Sequence, residues 1–534
     1  MLVKTHGAAL QGIDAIIVTI EVAARQGVAF SLVGMADTAV KESHQRVLSA
    51  ITHTGFSWPR RNVVVNLSPA DVRKEGAAYD LPIALGILAA SEQIQCAVPM
   101  AEYMVMGELS LDGTVLPVGG VLPMAIKARQ LGFKGMIVPE ANATEAAVVN
   151  NLDVYGVSSL GQVASFFAGA AGLTPTVVDT RAEFAAASGR FDVDFSEVKG
   201  QEGVKRAIEV ACAGGHNILL VGPPGAGKSM IAKRIPTILP PLSLAEALET
   251  TKIHSVAGKL KGGSRLMTTR PYRAPHHTIS PVALVGGGSN PQPGEISLAN
   301  NGVLFMDEFP EFPRSVLEVL RQPLEDRCIS ISRARYSIDY PAGFMLVASM
   351  NPCPCGYYNH PTKQCQCLPG AVARYLGRIS GPLLDRIDLH MEILPVPFDE
   401  LASRRPSETS DAIRARVVAA RNVQAIRFRD VPGVHCNAQM NSRLLGLHAA
   451  LGPEAMAVMR DTMTRLDMSA RAYDRILKVA RTIADLEYSA PGSGLTPGQA
   501  AAAPILAVHI REALSYRALD RSAWGQAQAK MPVQ

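Results

Sequence analysis

Residues 217–229, Asn-Ile-Leu-Leu-Val-Gly-Pro-Pro-Gly-Ala-Gly-Lys-Ser, constrain this chain more than any other stretch. An apolar run that reads as a buried strand enters a loop of Gly222, Pro223, Pro224, Gly225, Ala226, Gly227, Lys228 and Ser229, and a helix-compatible segment follows. Glycines let backbone N–H groups turn inward and approach an anion closely, and a helix N-terminus adds the positive end of its dipole. Lys228 supplies a point charge for the β- and γ-phosphates, and the Ser229 hydroxyl can ligate Mg²⁺. The pattern implies a nucleoside triphosphate site.

A chain of 534 residues should hold roughly three domains of about 150 residues each. A net charge of +5, from 52 basic and 47 acidic residues, permits a local nucleic-acid surface without demanding one. The N-terminus lacks a charged segment followed by an apolar core, so no signal peptide is expected. The longest clean apolar runs, such as residues 81–90, fall short of the ~20 residues that a membrane span needs. The expectation is a soluble, cytoplasmic chain with no membrane partner, whose eight cysteines are reduced or metal-bound.

Residues 1–171 alternate short β-type runs with helical segments and form an α/β unit of their own. Residues 172–191, with Thr-Pro-Thr and an Ala-rich stretch, read as a linker. From 192 to 395 strands alternate with helices around the phosphate loop, which implies a mostly parallel sheet covered on both faces. From 396 to 517 the pattern is helical throughout, an all-helical lid, and residues 518–534 are expected to fray as a flexible tail.

Residues 301–308, Asn-Gly-Val-Leu-Phe-Met-Asp-Glu, are a buried strand ending in adjacent carboxylates. Beside a phosphate loop, Asp307 would hold the Mg²⁺ shell and Glu308 would orient and deprotonate the attacking water. A second apolar strand ends at Asn351, which either bonds the γ-phosphate or water or caps a turn before Pro352. Two close cysteine pairs, Cys353/Cys355 and Cys365/Cys367, lie in a loop rich in Gly, Pro and Asn. Four thiolates can close a tetrahedral Zn²⁺ shell, with His360 as a substitute ligand; the other reading is free thiols.

These segments, together with 271–278 (Pro-Tyr-Arg-Ala-Pro-His-His-Thr), 293–298 (Pro-Gly-Glu-Ile-Ser-Leu) and 380–390, carry a family likeness. The chain resembles the magnesium-chelatase-like AAA+ ATPases, and within them the ComM/YifB family, nearly end to end. The implied fold is α/β: an N-terminal Lon-protease-like α/β domain, a P-loop AAA+ three-layer α/β/α core with a parallel sheet, and the helical lid. The resemblance implies ATP with Mg²⁺ at the interfaces of a homo-oligomer, usually a hexamer. Arg386 then looks like the arginine finger given to a neighbour's γ-phosphate, and Arg471 like the lid's sensor arginine, with Arg378 and Arg475 as competitors. Residues 198–201 look like the segment beside the adenine.

The front end resembles the Lon proteolytic domain, but its nucleophile position is Ala78 and its base position Leu122. Neither a methyl nor an isobutyl group can do that chemistry. It is therefore read as an inactive structural or interaction module. Two inserts, roughly 256–297 and 328–339, place Arg270, Arg273, Arg333 and Arg335 near aromatic residues. In related ring ATPases such inserts line the pore, where basic and aromatic groups suit a DNA strand; ordinary exposed hairpins are the competing reading. The resemblance implies a DNA helicase acting in branch migration during natural transformation and recombination, on single-stranded, double-stranded and branched DNA. A magnesium-chelatase-type subunit and an AAA+ protein remodeller stand as alternatives.

Overall fold

The computed structural model describes residues 1–520 apart from 171, 182–183, 185–190, 261–265, 289–290, 334–335, 398–399, 401–406 and 467. The front end is built on seven strands: β1 (Leu2–Gln11), β2 (Asp14–Arg25), β3 (Phe30–Val33), β4 (Asn62–Ser68), β5 (Tyr103–Val105), β6 (Gly135–Pro139) and β7 (Asp153–Val157). Their order across the sheet is β3-β4-β2-β1-β5-β6-β7. β1 and β2 pair antiparallel from Leu2↔Ala23 to Gln11↔Asp14, while β5, β6 and β7 run parallel. Val18, Ile20 and Val22 of β2 are fully buried at every second position, the period that puts one face of a strand on a core. The Asp80–Ala90 helix is buried along its whole length. A helix that is apolar all round has no solvent face to offer.

The second body carries β8 (Ile218–Val221), β9 (Tyr272–Arg273), β10 (Val303–Met306), β11 (Cys328–Arg333), β12 (Tyr336–Pro341), β13 (Met345–Met350) and β14 (Leu389–Glu392). β9-β10-β13-β8-β14 form one sheet in that order, all parallel. β8, β10 and β13 are buried throughout, as expected of strands covered on both faces. β11 and β12 stand apart as an antiparallel hairpin in register from Cys328↔Pro341 to Arg333↔Tyr336. The expected parallel core and second insert are both present.

Beyond the sheet the chain is helical, with long helices at Ser410–Arg427, Pro453–Leu466 and Ala470–Tyr488. They share a hydrophobic cluster with the Glu202–Gly214 helix of the core. Inside this lid Arg427 Nη1 donates to Asp485 Oδ2 at 2.7 Å, with both side chains fully buried. Among the described residues, no helix is long and apolar enough to cross a membrane.

The segment read as a linker does part of its work as packing. The Thr176 N–H bonds the Val154 carbonyl at 2.7 Å, and the buried Thr180 hydroxyl bonds that of Val148 at 3.1 Å. The two bodies meet along the Leu244–Val256 helix. Leu248 packs on the front-end core, Lys252 lies 2.5 Å from Asp14, and Ser255 donates to Glu145 at 2.5 Å. On its other side Glu249 accepts from Asn300 and Asn301, each at 2.9 Å, just ahead of β10. The β1–β2 turn completes the junction: Ile13 is buried in the same cluster as Ile253 and Ile331. Gly12 has a φ of +63°, and a Cβ there would meet Ile338 at 2.6 Å.

Candidate nucleotide-binding site

Because the five core strands are parallel, their carboxyl ends lie on one edge, where such sheets bind ligands. β8 runs into residues 222–229, β10 into Asp307, and β13 into Asn351. The Gly222 N–H bonds the Met350 carbonyl at 3.1 Å, tying the loop to the neighbouring strand. A Cβ on Gly222 would stand 2.6 Å from the Ile393 carbonyl oxygen, so no side chain fits. Gly225 and Gly227 take φ values of +79° and +84°, a region that L-residues enter at a cost.

Lys228 and Ser229 open the Lys228–Ile238 helix. Lys228 Nζ donates to the carbonyls of Gly222 (2.7 Å) and Pro223 (3.0 Å) and to Asn351 Oδ1 (3.2 Å). Burial lowers its pKa, opposed by the charges of Asp307 and Glu308. Ser229 Oγ donates to Asp307 Oδ2 at 2.7 Å. The other Asp307 oxygen accepts the Glu308 N–H at 3.0 Å and the Ser349 hydroxyl. A cleft of about 370 Å³ opens among Pro224, Lys228, Ser229, Asp307, Glu308 and Asn351. Gln201 Nε2 bonds the Ala226 carbonyl at 3.1 Å, so the segment expected beside the base touches the loop.

Two residues here escaped the sequence reading. Ser349, a hydroxyl inside an apolar strand, braces the Asp307 carboxylate, and its polarity on β13 is the available signal. His277, within the first insert, lies with Nδ1 3.2 Å from Glu308 Oε2. Glu308 itself has a φ of +53°, and a left-handed non-glycine residue is strained by about 1–3 kcal/mol, a feature that concentrates at functional sites.

The arginines are distributed elsewhere. Arg386 does not line its own cleft; it pairs with Glu325 and donates to the Pro382 carbonyl at 2.7 Å. Arg471 is exposed in the first turn of the Ala470–Tyr488 helix. Arg475 lies 3.0 Å from the buried Asp388, and Arg378 2.6 Å from Glu311. Arg270, grouped with the strand contacts, is instead largely buried. It donates to the carbonyls of Pro240 (2.6 Å) and Asn301 (2.7 Å) and pairs with Glu246 (3.2 Å). Arg273 grips Glu295 with two bonds of 2.6 and 2.7 Å. Arg270 thus ties the insert to residues outside it, while Arg273 and Glu295 pair within it. Arg333 ends β11, and Arg335 lies outside the described residues.

The four cysteines converge. Cys353 Sγ is 3.3 Å from that of Cys355 and 3.7 Å from that of Cys365; Cys355 and Cys365 are 3.5 Å apart, and Cys367 completes a set within 4.8 Å. His360 turns away, its Nδ1 accepting the N–H of Lys363 at 3.0 Å. In the front end, Ala78 packs against the hydrophobic core and Leu122 is fully buried within it.

A parallel sheet, a phosphate loop and the adjacent carboxylates Asp307 and Glu308 define an α/β P-loop nucleotide-binding fold, here with a helical lid. Three family models match the chain: "Magnesium chelatase, subunit ChlI" over residues 194–401, "Subunit ChlI of Mg-chelatase" over 20–142, and "Magnesium chelatase, subunit ChlI C-terminal" over 407–517. The chain is 41% identical to the competence protein ComM of Haemophilus influenzae over 526 residues, 97% of this chain and 98% of that one. It is 42% identical to the uncharacterized protein YifB of Escherichia coli over 522 residues, 97% of each. The chain belongs to the ComM/YifB family of magnesium-chelatase-like AAA+ proteins. A stretch of 112 residues is also 29% identical to the Lon protease of Rhizobium meliloti, covering 20% of this chain and 13% of that protease.

Proposed function

We propose that this chain is an ATP-driven DNA motor, a hexameric helicase that promotes branch migration and the integration of incoming DNA in natural transformation and homologous recombination. The observation that carries its ATPase half is the convergence of Lys228, Ser229, Asp307, Glu308 and Asn351 on one cleft. In this reading Lys228 neutralises the β- and γ-phosphates, Ser229 and Asp307 hold Mg²⁺, and Glu308 takes the proton of the in-line water. Asn351 orients that water or the γ-phosphate. Arg386 reaches the neighbouring subunit's nucleotide and Arg471 senses it from the lid. The competence name of the Haemophilus relative supports the DNA half. So does the β11–β12 hairpin, whose register ends at the pair Arg333↔Tyr336. The four-cysteine loop holds Zn²⁺.

A magnesium-chelatase-type subunit is the second reading, favoured by the descriptions of the three family models. Its cost is that it leaves the Lon-like front end and the cysteine loop without a role. The test is ATP turnover and strand displacement on forked and three-stranded DNA, with Lys228→Ala and Glu308→Gln beside the unaltered chain. DNA should stimulate turnover and both variants should fail to unwind; absence of DNA binding with ATP present would discard the motor.

A further inference from the structure

The cysteine loop touches the nucleotide site at both of its ends. It leaves β13 through Asn351 and re-enters helix at Ala371–Leu376. On the way out, the Gly356 N–H closes a turn on the Cys353 carbonyl at 3.0 Å. Gly356 has a φ of +83°, and a Cβ there would stand 2.7 Å from Pro224 Cδ, so this turn rests on the phosphate loop. On the way back, the buried Tyr375 hydroxyl meets the backbone amide of Asn351. Asn351 in turn holds Lys228 at 3.2 Å.

Between those ends the loop has little apolar packing, with most of residues 357–371 exposed or half-buried. Its sulfurs supply the missing order. The sulfurs of Cys353, Cys355 and Cys365 are 3.3–3.7 Å apart, with Cys367 within 4.8 Å, and those three spacings are far from the ~2.05 Å of a disulfide. They are close to the ~3.8 Å edge of a tetrahedron with Zn–S bonds near 2.3 Å. Backbone amides face them: Tyr358 towards Cys353, Tyr357 and Gln366 towards Cys355, and Cys367 towards Cys365. Such outer donors stabilise thiolate over thiol and fix the ligands' orientation.

We propose that the four thiolates bind one Zn²⁺ and that this ion braces the nucleotide site, holding Pro224 and Asn351 where the phosphates bind. The inference deepens the zinc reading given above and does not depend on DNA. Binding converts four S–H groups to S–Zn bonds and releases their protons to solvent, so the brace is lost to acid and to chelators.

The test uses the full chain, with zinc analysis, the visible spectrum of a Co²⁺-substituted sample, and the affinity of a fluorescent ATP analogue. One zinc per chain and a tetrahedral Co²⁺–thiolate spectrum are expected. Stripping zinc, with Mg²⁺ resupplied, should weaken the analogue at least about tenfold, and returning Zn²⁺ should restore it. The Cys353→Ser, Cys365→Ser double variant should lose the metal and the affinity together. Gly356→Ala separates the two properties: it should keep its zinc and lose nucleotide affinity, because the clash falls on Pro224. Metal-free protein that binds the analogue as tightly as loaded protein overturns the brace, and a chain purified without zinc that takes up none overturns the site. If zinc and nucleotide binding behave as stated but DNA has no effect on turnover, the motor fails and the brace stands.

Discussion

The Glu308 carboxylate lies 3.2 Å from Nδ1 of His277, which ties the residue proposed to act on the attacking water to the part of the first insert that follows β9. A general base contributes about 10²–10⁴-fold to rate, and a misplacement of about 1 Å can cost 10²-fold. Glu308→Gln should lower turnover by ~10²–10⁴-fold and leave nucleotide affinity intact. His277→Ala should lower kcat by up to ~10²-fold with little change in KM, and His277→Gln should recover part of the loss. Steady-state ATP hydrolysis decides it; a KM effect without a kcat effect would show that His277 serves binding instead.

Arg386 lies outside its own subunit's cleft, which makes a mixing experiment informative. Arg386→Ala and Lys228→Ala should each be nearly inactive, the first still binding nucleotide. Mixed, they should recover measurable turnover, because some interfaces then pair an intact loop with an intact arginine. Activity no greater than the sum of the separate samples would place Arg386 outside the neighbour's site.

Acid should destabilise the fold well before the carboxylates titrate. Burial lowers the pKa of His216 and pushes that of His390 well below the ordinary imidazole value. Below about pH 6.5 the unfolded chain binds protons that these two residues refuse in the fold. Stability is therefore lost as pH falls, by at most about 1.4 kcal/mol per pH unit for each histidine, until the folded pKa is reached. Urea midpoints at about pH 7.5 and 5.5 measure the slope, and His390→Gln should flatten it.

The junction between the two bodies should depend on its apolar contact more than on its ion pair. Ile13→Ala removes a side chain buried in the ATPase-side cluster and should cost about 2–4 kcal/mol. Asp14→Ala breaks a pair whose acid is 76% exposed, and exposed pairs contribute about 0.2–1 kcal/mol. Thermal unfolding of the two variants should rank them in that order.

What could be read from the sequence was local. The phosphate loop and the Asp307–Glu308 pair declare themselves because strand, turn and reactive groups are contiguous, and each residue type has one physical use there. The cysteines announce a cluster by spacing alone. Arg270 and Arg273 show the limit: a basic residue in a glycine-rich insert looks free until its acid arrives beside it, Glu246 from the helix before the insert and Glu295 from 22 residues further along. His277 is invisible for the same reason, since its partner is 31 residues further on. The left-handed backbone of Glu308 has no sequence signature, because glutamate rarely adopts it.

The helix at Leu244–Val256 faces the front end on one side and the approach to β10 on the other. A chain cut at residue 192 would leave Leu248 without its cover and vacate the socket that Ile13 fills. Such a fragment should be sticky, and its ATP turnover would describe a damaged engine. The Lon-like front end therefore belongs in every sample used to measure this protein.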